Sequence, residues 1–468
     1  MKNIKSFTSS IAIAAGLAAS TAMAQAQVPP ADAAAAPAAA PAAAVVDQKA
    51  QARQLAALKR QYGEGPYPAE TELFLANKPS VLAPYWSNLW YGGERNSVVN
   101  FQRLGLAAME VSEWTTAEKA FDQALNRIEA VYSKDAMATR ARSTFAKEAN
   151  KDFKGEPYER AMAYYYRGLL YLRKADYGNA RASFKGAEYQ DTVSDSEEFQ
   201  GDFAAMNYLI GWSTRCMGES DGGDDFNAAL KAQAGLTVPP KNHNVLMIAE
   251  TGVGPIKVQD GAMKEKMVFQ VPQVPGPETQ ALFKLTPTEE VATVPMSALS
   301  YQATTRGGRA IDGILKGKAN FKQTTGSIGN VGMQAGLSMM GQGGDMGAGV
   351  AVMAVGALFS MFSSAAKADA DVRYWDQLPD SLLIATGAAK GPIKPSVRFA
   401  GEAGPLDTKP AAMMEGGDTA CRVVWTRTRS ALVGGDVPGD DEKVKAAVLR
   451  RKDTAAKNKE LREALKQL

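Results

Sequence analysis

Two stretches of equal length decide the fold of the N-terminal half. Residues 101–124 are FQRLGLAAMEVSEWTTAEKAFDQA, and residues 164–187 are YYYRGLLYLRKADYGNARASFKGA. Glycine, alanine and aromatic residues recur in both stretches at the same offsets, with apolar residues at the period of an amphipathic helix. A short break at residues 112–114 or 175–177 divides each stretch into two. Each stretch is therefore predicted to form a helical hairpin.

The matched positions have the spacing of a tetratricopeptide repeat. Small residues at Gly105, Ala117, Gly168 and Ala180 allow two helices to approach closely, and the phenylalanines at the end of each stretch fill the space between hairpins. An ordinary amphipathic bundle is the alternative, and agreement at seven positions favours the repeat. The predicted repeat-packing residues are Gly105, Ala117, Phe121, Gly168, Ala180 and Phe184.

The repeats are predicted to be irregular. Gly105 and Gly168 are 63 residues apart, whereas a tandem array would place them about 34 residues apart. We expect the additional residues, near 133–153, to extend a helix or to form a loop. A third, degraded unit is predicted between Phe203 and Ala232, about one residue out of phase.

The first 24 residues have the parts of a secretory signal. Lys2 and Lys5 precede an apolar core at residues 11–19, and Ala-Met-Ala at 22–24 forms a cleavage site before Gln25. Polar residues interrupt the apolar run, which makes it a poor membrane anchor. We therefore expect export to the periplasm. No cysteine lies near the cleavage site, so the chain is not predicted to be a lipoprotein.

The predicted fold class is α+β: an irregular tetratricopeptide-like helical domain followed by a mixed α/β C-terminal domain. Valine-rich runs near residues 244–249, 267–271 and 421–428 predict strands in the second half. The predicted order is a signal peptide at 1–24, an Ala/Pro-rich linker at 25–50, the helical domain at 51–236, the mixed domain at 237–436 and a charged helical tail at 437–468.

Composition limits the classes of partner. The 53 lysines and arginines nearly balance the 50 aspartates and glutamates, giving a net charge of +3. This balance provides no strong field for a polyanion, so no nucleic-acid partner is predicted. The two cysteines, Cys216 and Cys421, permit one disulfide in an oxidising compartment. Two buried small apolar side chains are the alternative.

The repeat pattern also predicts a binding surface. In such arrays the first helix of each hairpin lines a concave groove, which suits an extended peptide or a helix of a protein partner. The alternative is that the C-terminal domain or the insertion fills this groove. By their offsets, the predicted groove positions include Gln102, Met109, Glu110, Tyr165, Leu169 and Arg173.

Chemistry-bearing patterns are weak, and no enzyme is predicted. Residues 218–222 match the G-x-S-x-G pattern of a nucleophilic serine, but they follow a helical segment, and His243 is the only histidine available as a base. A turn explains Ser220 better. The aspartates in residues 221–225 lack the spacing of a calcium loop. We predict no catalytic residue, no metal site and no cofactor.

Two further segments have distinctive composition. Residues 347–364 are 18 uncharged residues rich in Gly, Ala, Val and Met. They fit a buried helix, a glycine-rich loop or a membrane-inserting segment, and the last would make the protein membrane-associating or pore-associated. The tail has a narrow apolar stripe, and it is predicted to be a mobile or partner-dependent helix. The stripe consists of Val444, Val448, Leu461 and Leu465.

Three short motifs occur in order along the chain: GEPYE at 155–159, GVGPIK at 252–257, and ADVRYW at 370–375 followed by Leu378 and Pro379. This order resembles a family of uncharacterised bacterial envelope proteins, many of them lipoproteins, that combine tetratricopeptide repeats with a C-terminal domain. The resemblance implies a role in the cell envelope and supplies no catalytic residues. The predicted function is an exported periplasmic scaffold that binds a protein partner in an envelope complex. A membrane-associating component is the alternative.

Overall fold

The computed structural model describes residues 67–132, 151–192, 202–260, 266–272, 277–286, 289–304 and 370–468, and the single residues 53, 56 and 57. Contacts divide the chain into two units, residues 1–56 and 57–468. The elements below belong to the second unit. The predicted signal peptide, the Ala/Pro-rich linker and the segment 347–364 lie outside the described residues.

Helices form the described part of the chain up to residue 232. Short 3-10 turns at Ser80–Leu82 and Glu94–Asn96 precede the second and third helices. The helices are α1 (Pro68–Leu75), α2 (Ala83–Gly92), α3 (Ser97–Glu110), α4 (Trp114–Tyr132), α5 (Pro157–Arg173), α6 (Tyr177–Thr192), α7 (Ala204–Met217) and α8 (Gly223–Ala232).

Helices α3 to α8 pair into three consecutive hairpins, each held by a ring lying on a glycine. A Cβ atom on Gly105 would lie 2.8 Å from the ring of Phe121, and one on Gly168 would lie 2.4 Å from the ring of Phe184. The third hairpin has the same contact, at 3.0 Å, between Gly211 and Phe226. The structure thus brings the predicted packing residues together, and Ala117 and Ala180 are fully buried beside them.

The turns of the three hairpins also correspond. Ser112, Ala175 and Gly218 each lie seven residues after the packing glycine, and their φ angles are 61°, 57° and 74°. A residue in the left-handed region after the last helical turn is a common way to end a helix. The left-handed residue that follows the first helix therefore has the same offset from the packing glycine in every hairpin.

Strands follow in the C-terminal half. They are β1 (Val245–Thr251), β2 (Ile256–Asp260), β3 (Lys266–Gln270), β4 (Gln280–Lys284), β5 (Glu290–Ala292), β6 (Val294–Ala298), β7 (Ser381–Gly387), β8 (Ser396–Gly401), β9 (Gly404–Leu406), β10 (Ala412–Gly417) and β11 (Arg422–Arg427). A short helix, α9 (Leu299–Thr304), follows β6. A five-stranded sheet has the order β10-β11-β1-β7-β6, a four-stranded sheet has the order β5-β4-β8-β9, and β2 pairs with β3.

Strand β1 lies at the centre of three layers. It pairs parallel with β11 and antiparallel with β7, and all seven of its residues are buried. Leu246 and Ile248 belong to the core formed with the helices, whereas Met247 packs with Phe283 and Phe399 of the four-stranded sheet. Alternation along the strand therefore buries one face under helices and the other under a second sheet. The fold is α+β.

The C-terminal tail forms two helices, α10 (Glu442–Leu449) and α11 (Lys452–Gln467). Val448, Leu461 and Leu465 of the predicted stripe are buried, and Asn458 accepts a 2.8 Å hydrogen bond from the backbone N–H of Glu94. The tail thus packs on the chain's own N-terminal helices. The expectation of a mobile or partner-dependent tail is corrected, because its apolar stripe already has a surface to cover.

Candidate functional site

The predicted groove is filled by the chain itself. Gln102, Met109, Tyr165 and Leu169 are at most 1% exposed, so the prediction that these positions are open to a partner is wrong. Glu110 and Arg173 are half-buried. The physical reason is that β10 and β11 pack on α3 and α5. The structure shows the alternative arrangement, in which the C-terminal half occupies the concave face.

The sheet edge lies directly on Arg173. A Cβ atom on Gly416 of β10 would lie 2.5 Å from the Cα atom of Arg173, so only a glycine permits this approach of strand to helix. The guanidinium of Arg173 lies 4.3 Å from the centre of the Trp114 ring, an arrangement that keeps its charge over an aromatic face. Arg173 therefore belongs to the junction of helix and sheet.

A different surface, on α2 and α3, holds an extended piece of chain. We name residues 430–440, which connect β11 to α10, the connecting segment. At its beginning, Ser430 donates a 2.6 Å hydrogen bond to Glu110, and the backbone N–H of Ala431 donates to the same carboxylate. Tyr85 donates a 2.6 Å hydrogen bond to the carbonyl of Ala431 and accepts one from the N–H of Gly434 at 3.1 Å.

The middle of the connecting segment is bound through its carbonyl groups. Arg103 donates to the carbonyl of Gly434 at 2.7 Å and to that of Gly435 at 2.9 Å, and Asn88 donates to Gly435 at 2.6 Å. Arg103 also forms a 2.9 Å ion pair with Asp376, which balances its charge in a site where it is 1% exposed. These contacts recognise main-chain atoms, so they place few demands on the side chains of the bound segment.

A buried ion pair anchors the end of the connecting segment. Arg95 lies 2.5 Å from one carboxylate oxygen of Asp440, and Asn96 donates to the other oxygen at 2.7 Å. The side chains of Arg95 and Asp440 are 1% and 0% exposed. Burial, together with the neighbouring charge of Arg373, lowers the pKa of Arg95. Removing one partner of such a pair leaves a buried charge without compensation, which costs about 3–5 kcal/mol.

The three motifs of the resemblance meet at Glu159. Its carboxylate accepts hydrogen bonds from the backbone N–H groups of Glu156 at 2.7 Å and Trp375 at 2.8 Å, and it lies 2.5 Å from Nζ of Lys257. Glu159 is fully buried, and Lys257 is nearly so. Each motif contributes one contact. The cluster therefore joins α5, β2 and residues 370–375, and its groups satisfy one another.

A second buried cluster lies where α5 meets the sheet. The carboxylate of Glu250 accepts hydrogen bonds from the indole N–H of Trp425 at 2.7 Å and from the hydroxyl of Tyr166 at 2.9 Å. Arg427 lies 4.0 Å away. Glu250 is fully buried, and burial raises its pKa. The arrangement fixes the helix over the sheet.

The predicted turn at Ser220 forms between α7 and α8. Ser220 is exposed, and its hydroxyl accepts a hydrogen bond from the N–H of Gly222 at 3.2 Å. His243 instead contacts the hydroxyl of Thr386 at 2.8 Å. The structure therefore does not bring the serine to the histidine. Within the described ranges, no group of three His, Cys, Asp or Glu residues could hold a metal ion.

Cys216 and Cys421 form a disulfide. The bond connects the end of α7 to the residue before β11, across 205 positions of sequence. Tyr177 donates a 2.8 Å hydrogen bond to the carbonyl of Cys421, which ties the second hairpin to the same corner. The disulfide therefore connects the helical half to the sheet.

Sequence analysis missed most residues that bind the connecting segment. Of the six predicted groove positions, Glu110 is the one for which the structure shows a hydrogen bond to this segment. Arg103 offered a signal, because a charged residue between apolar positions such as Phe101 and Leu104 requires a partner when the helix is buried. Tyr85 and Asn88 offered none, since their partners are 346 and 347 positions away.

The chain was compared with protein-family models, curated proteins and solved structures, and none of them matches. In the part of the chain that the structure describes, no helix is long and apolar enough to cross a membrane. The alternative of a membrane-associating component concerns residues 347–364, outside that part.

Proposed function

We propose that this protein is an exported periplasmic scaffold that binds an extended segment of a protein partner in a cell-envelope complex. The observation that carries the proposal is the α2–α3 surface, which holds residues 430–440 mainly by hydrogen bonds to main-chain atoms. Surfaces that bind peptides in extended form use this kind of contact, because the main chain is the same in every sequence.

The helical hairpins support the proposal. They resemble tetratricopeptide repeats in the glycine–phenylalanine contact and in the left-handed residue seven positions later. Arrays of such hairpins present extended concave surfaces to their partners. In this chain the sheet packs on α5 and on part of α3, so the partner surface we propose is the part of α2 and α3 that holds the connecting segment.

The disulfide supports the proposed compartment. Disulfides persist in oxidising compartments such as the bacterial periplasm, and Cys216 and Cys421 are bonded. The signal-like first 24 residues point to the same place. The N-terminal sequence of the protein recovered from a periplasmic fraction should begin at Gln25. Recovery of the uncleaved chain from the cytoplasmic fraction would contradict the proposed localisation.

Site-specific photo-crosslinking in cells tests the scaffold function. Tyr91 on α2 is 44% exposed and lines a small cavity with Asn88 and Val437, so a photo-crosslinking residue in its place reports on this surface. Val238, which is 41% exposed and follows α8, is the matched control. We expect a discrete crosslink to another envelope protein from position 91 and none from position 238.

Two results would contradict the scaffold function. Equal crosslinking from positions 91 and 238 would indicate nonspecific contact. Absence of a crosslink from position 91 would mean that the α2–α3 surface does not bind a protein partner in cells. A crosslinked product with the mass of two copies of this chain would assign the surface to self-association.

A further inference from the structure

We propose that the connecting segment, residues 430–440, is an exchangeable internal ligand whose chemistry defines the partner of the α2–α3 surface. This inference rests on the proposed function and adds to it the chemical class of the partner. The partner is an extended protein segment with two small residues at its centre, a buried aliphatic residue close behind them, and a carboxylate at its C-terminal end.

The direction of binding follows from the two ends of the connecting segment. Ser430 contacts Glu110 in the last turn of α3, whereas Asp440 contacts Arg95 and Asn96 just before that helix begins. Arg103, halfway along α3, binds Gly434 and Gly435 in between. The segment therefore runs antiparallel to α3 along its whole length, as a bound peptide would.

The connecting segment itself shows which positions are recognised. Gly434 and Gly435 have φ angles of 59° and 75°, which glycine adopts without strain. No atom lies within 4 Å of a Cβ added to either, so their requirement is one of backbone conformation. Ala431 and Val437 are buried, at 0% and 5% exposure.

Two positions in the connecting segment carry no recognition. Leu432 and Val433 are 37% and 43% exposed, although both are apolar. A competing segment can therefore differ at these two positions without losing a buried contact. The requirements that remain are the backbone conformation, Ala431, Val437, the carboxylate of Asp440 and Gly439, where an added Cβ would lie 2.0 Å from the carbonyl oxygen of Val372.

Exchange is favoured because the connecting segment contributes only Ala431 and Val437 to the buried apolar core, so little apolar contact is lost when it leaves. The bonds that hold the middle of the segment are directed to main-chain carbonyl groups, which a segment of another sequence also offers. A tethered segment competes at an effective concentration of about a millimolar. A free peptide of the same sequence should therefore bind the wild-type chain only near that concentration.

The test uses the full-length chain and a fluorescent synthetic peptide with the sequence of residues 428–441, TRSALVGGDVPGDD. Asp440→Asn in the protein weakens the internal ligand and leaves the α2–α3 surface intact. Fluorescence anisotropy should then show half-saturation at a concentration about a hundredfold lower than for wild type, or lower still. Asp453→Asn, an exposed residue of the same tail, is the matched control and should bind like wild type.

A second peptide with Asn in place of Asp at position 440 tests the carboxylate. It should bind the Asp440→Asn protein about a hundredfold more weakly than the first peptide, or more weakly still. Val437→Ala weakens the binding of the connecting segment by a different contact. If circular dichroism shows that the Asp440→Asn protein is unfolded, the Val437→Ala protein replaces it in the test. Failure of the first peptide to bind either folded variant, or equal binding of the two peptides, would overturn the inference.

The outcomes also separate this inference from the proposed function. If the peptide exchanges as expected and position 91 yields no crosslink, the internal ligand stands and the scaffold function falls. If position 91 crosslinks an envelope protein and the peptide does not exchange, the scaffold function stands and residues 430–440 are a fixed part of the fold.

Discussion

At the scale of single residues, Glu250 shows how a buried carboxyl group joins helix and sheet through hydrogen bonds. Its carboxylate has two hydrogen-bond donors, Trp425 and Tyr166, and an arginine 4.0 Å away. Hydrogen bonding compensates part of the cost of burying a charge. The raised pKa of Glu250 indicates that burial outweighs this compensation.

The pKa of Glu250 gives a prediction about pH. Its value in the folded protein lies above the ordinary value of 4.5, so the folded state holds a proton that the unfolded state has released. Its contribution to the free energy of unfolding therefore falls as pH rises from 4.5 through the raised pKa. Glu250→Gln removes this contribution.

Urea denaturation between pH 4 and 7 measures the effect. The stability of wild type relative to Glu250→Gln should fall as pH rises through this window, while an exposed control, Glu289→Gln, should show no such trend. A wild-type advantage that grows with pH would mean that the folded state favours the ionised carboxylate, contrary to this account.

Replacing either of two glycines in the second hairpin by alanine should have opposite effects on the free energy of unfolding. A Cβ atom on Gly168 would lie 2.4 Å from the Phe184 ring, so Gly168→Ala should lower the free energy of unfolding by about 1–3 kcal/mol. Gly178, in α6, has no atom within 4 Å of an added Cβ. Gly178→Ala should therefore raise the free energy of unfolding by about 0.5–1 kcal/mol, because alanine has the higher helix propensity.

Chemical denaturation of both variants checks the pair. Phe184→Leu provides the second control, because a smaller side chain should recover part of the stability lost in Gly168→Ala. If the two alanine variants have equal stability, the ring of Phe184 does not lie on Gly168 as described.

At the scale of elements, the disulfide joins α7 to β11 and closes a long loop. Restricting the unfolded chain in this way stabilises the folded state by about 2–5 kcal/mol. Cys216→Ala combined with Cys421→Ala should therefore lower the free energy of unfolding by that amount. A reducing agent should bring wild type to the stability of the double variant and leave the variant unchanged.

A denaturation midpoint that is the same for wild type in oxidising and reducing buffer would contradict the prediction. It would mean that the two cysteines are not bonded in solution, or that closing the loop does not restrict the unfolded chain enough to change stability. Free-thiol titration distinguishes these two cases, because only the first leaves reactive cysteines in the oxidised sample.

Local elements were the part of the fold that sequence patterns could predict. The hairpins follow from the contacts of Gly105 with Phe121 and of Gly168 with Phe184. The two residues of each contact are 16 positions apart in the sequence. The strand near residues 421–428 follows from alternation, and Val424 does face the second sheet while Trp425 faces the helices. Both signals arise from short-range periodicity.

Long-range pairings were beyond the same patterns. Strand β1 is parallel to β11, and residues such as Ile248 and Trp425 lie opposite each other although far apart in sequence. The groove was misjudged for the same reason. Residues at its predicted exposed positions, such as Tyr165 and Leu169, carry apolar side chains that fit a peptide or a sheet equally well, and periodicity does not distinguish the two.

At the scale of the whole molecule, we propose that the connecting segment, residues 430–440, opens independently of the rest of the chain. The helices and the five-stranded sheet share one core, to which Leu246, Ile248 and Trp425 belong. The connecting segment contributes only Ala431 and Val437 to that core. Segments with few buried apolar contacts open at a lower free energy than the strands at the centre of a sheet.

Hydrogen exchange of the full-length protein, followed by mass spectrometry at low concentrations of urea, tests this claim most directly. We predict that the amides of residues 430–440 exchange through a local opening, so that their exchange rates do not depend on the urea concentration. The amides of β1 should exchange only on global unfolding, at rates that rise with urea. Asp440→Asn should accelerate the first set alone. Equal protection of residues 430–440 and β1, with the same dependence on urea, would contradict the account and make the connecting segment a permanent part of the core.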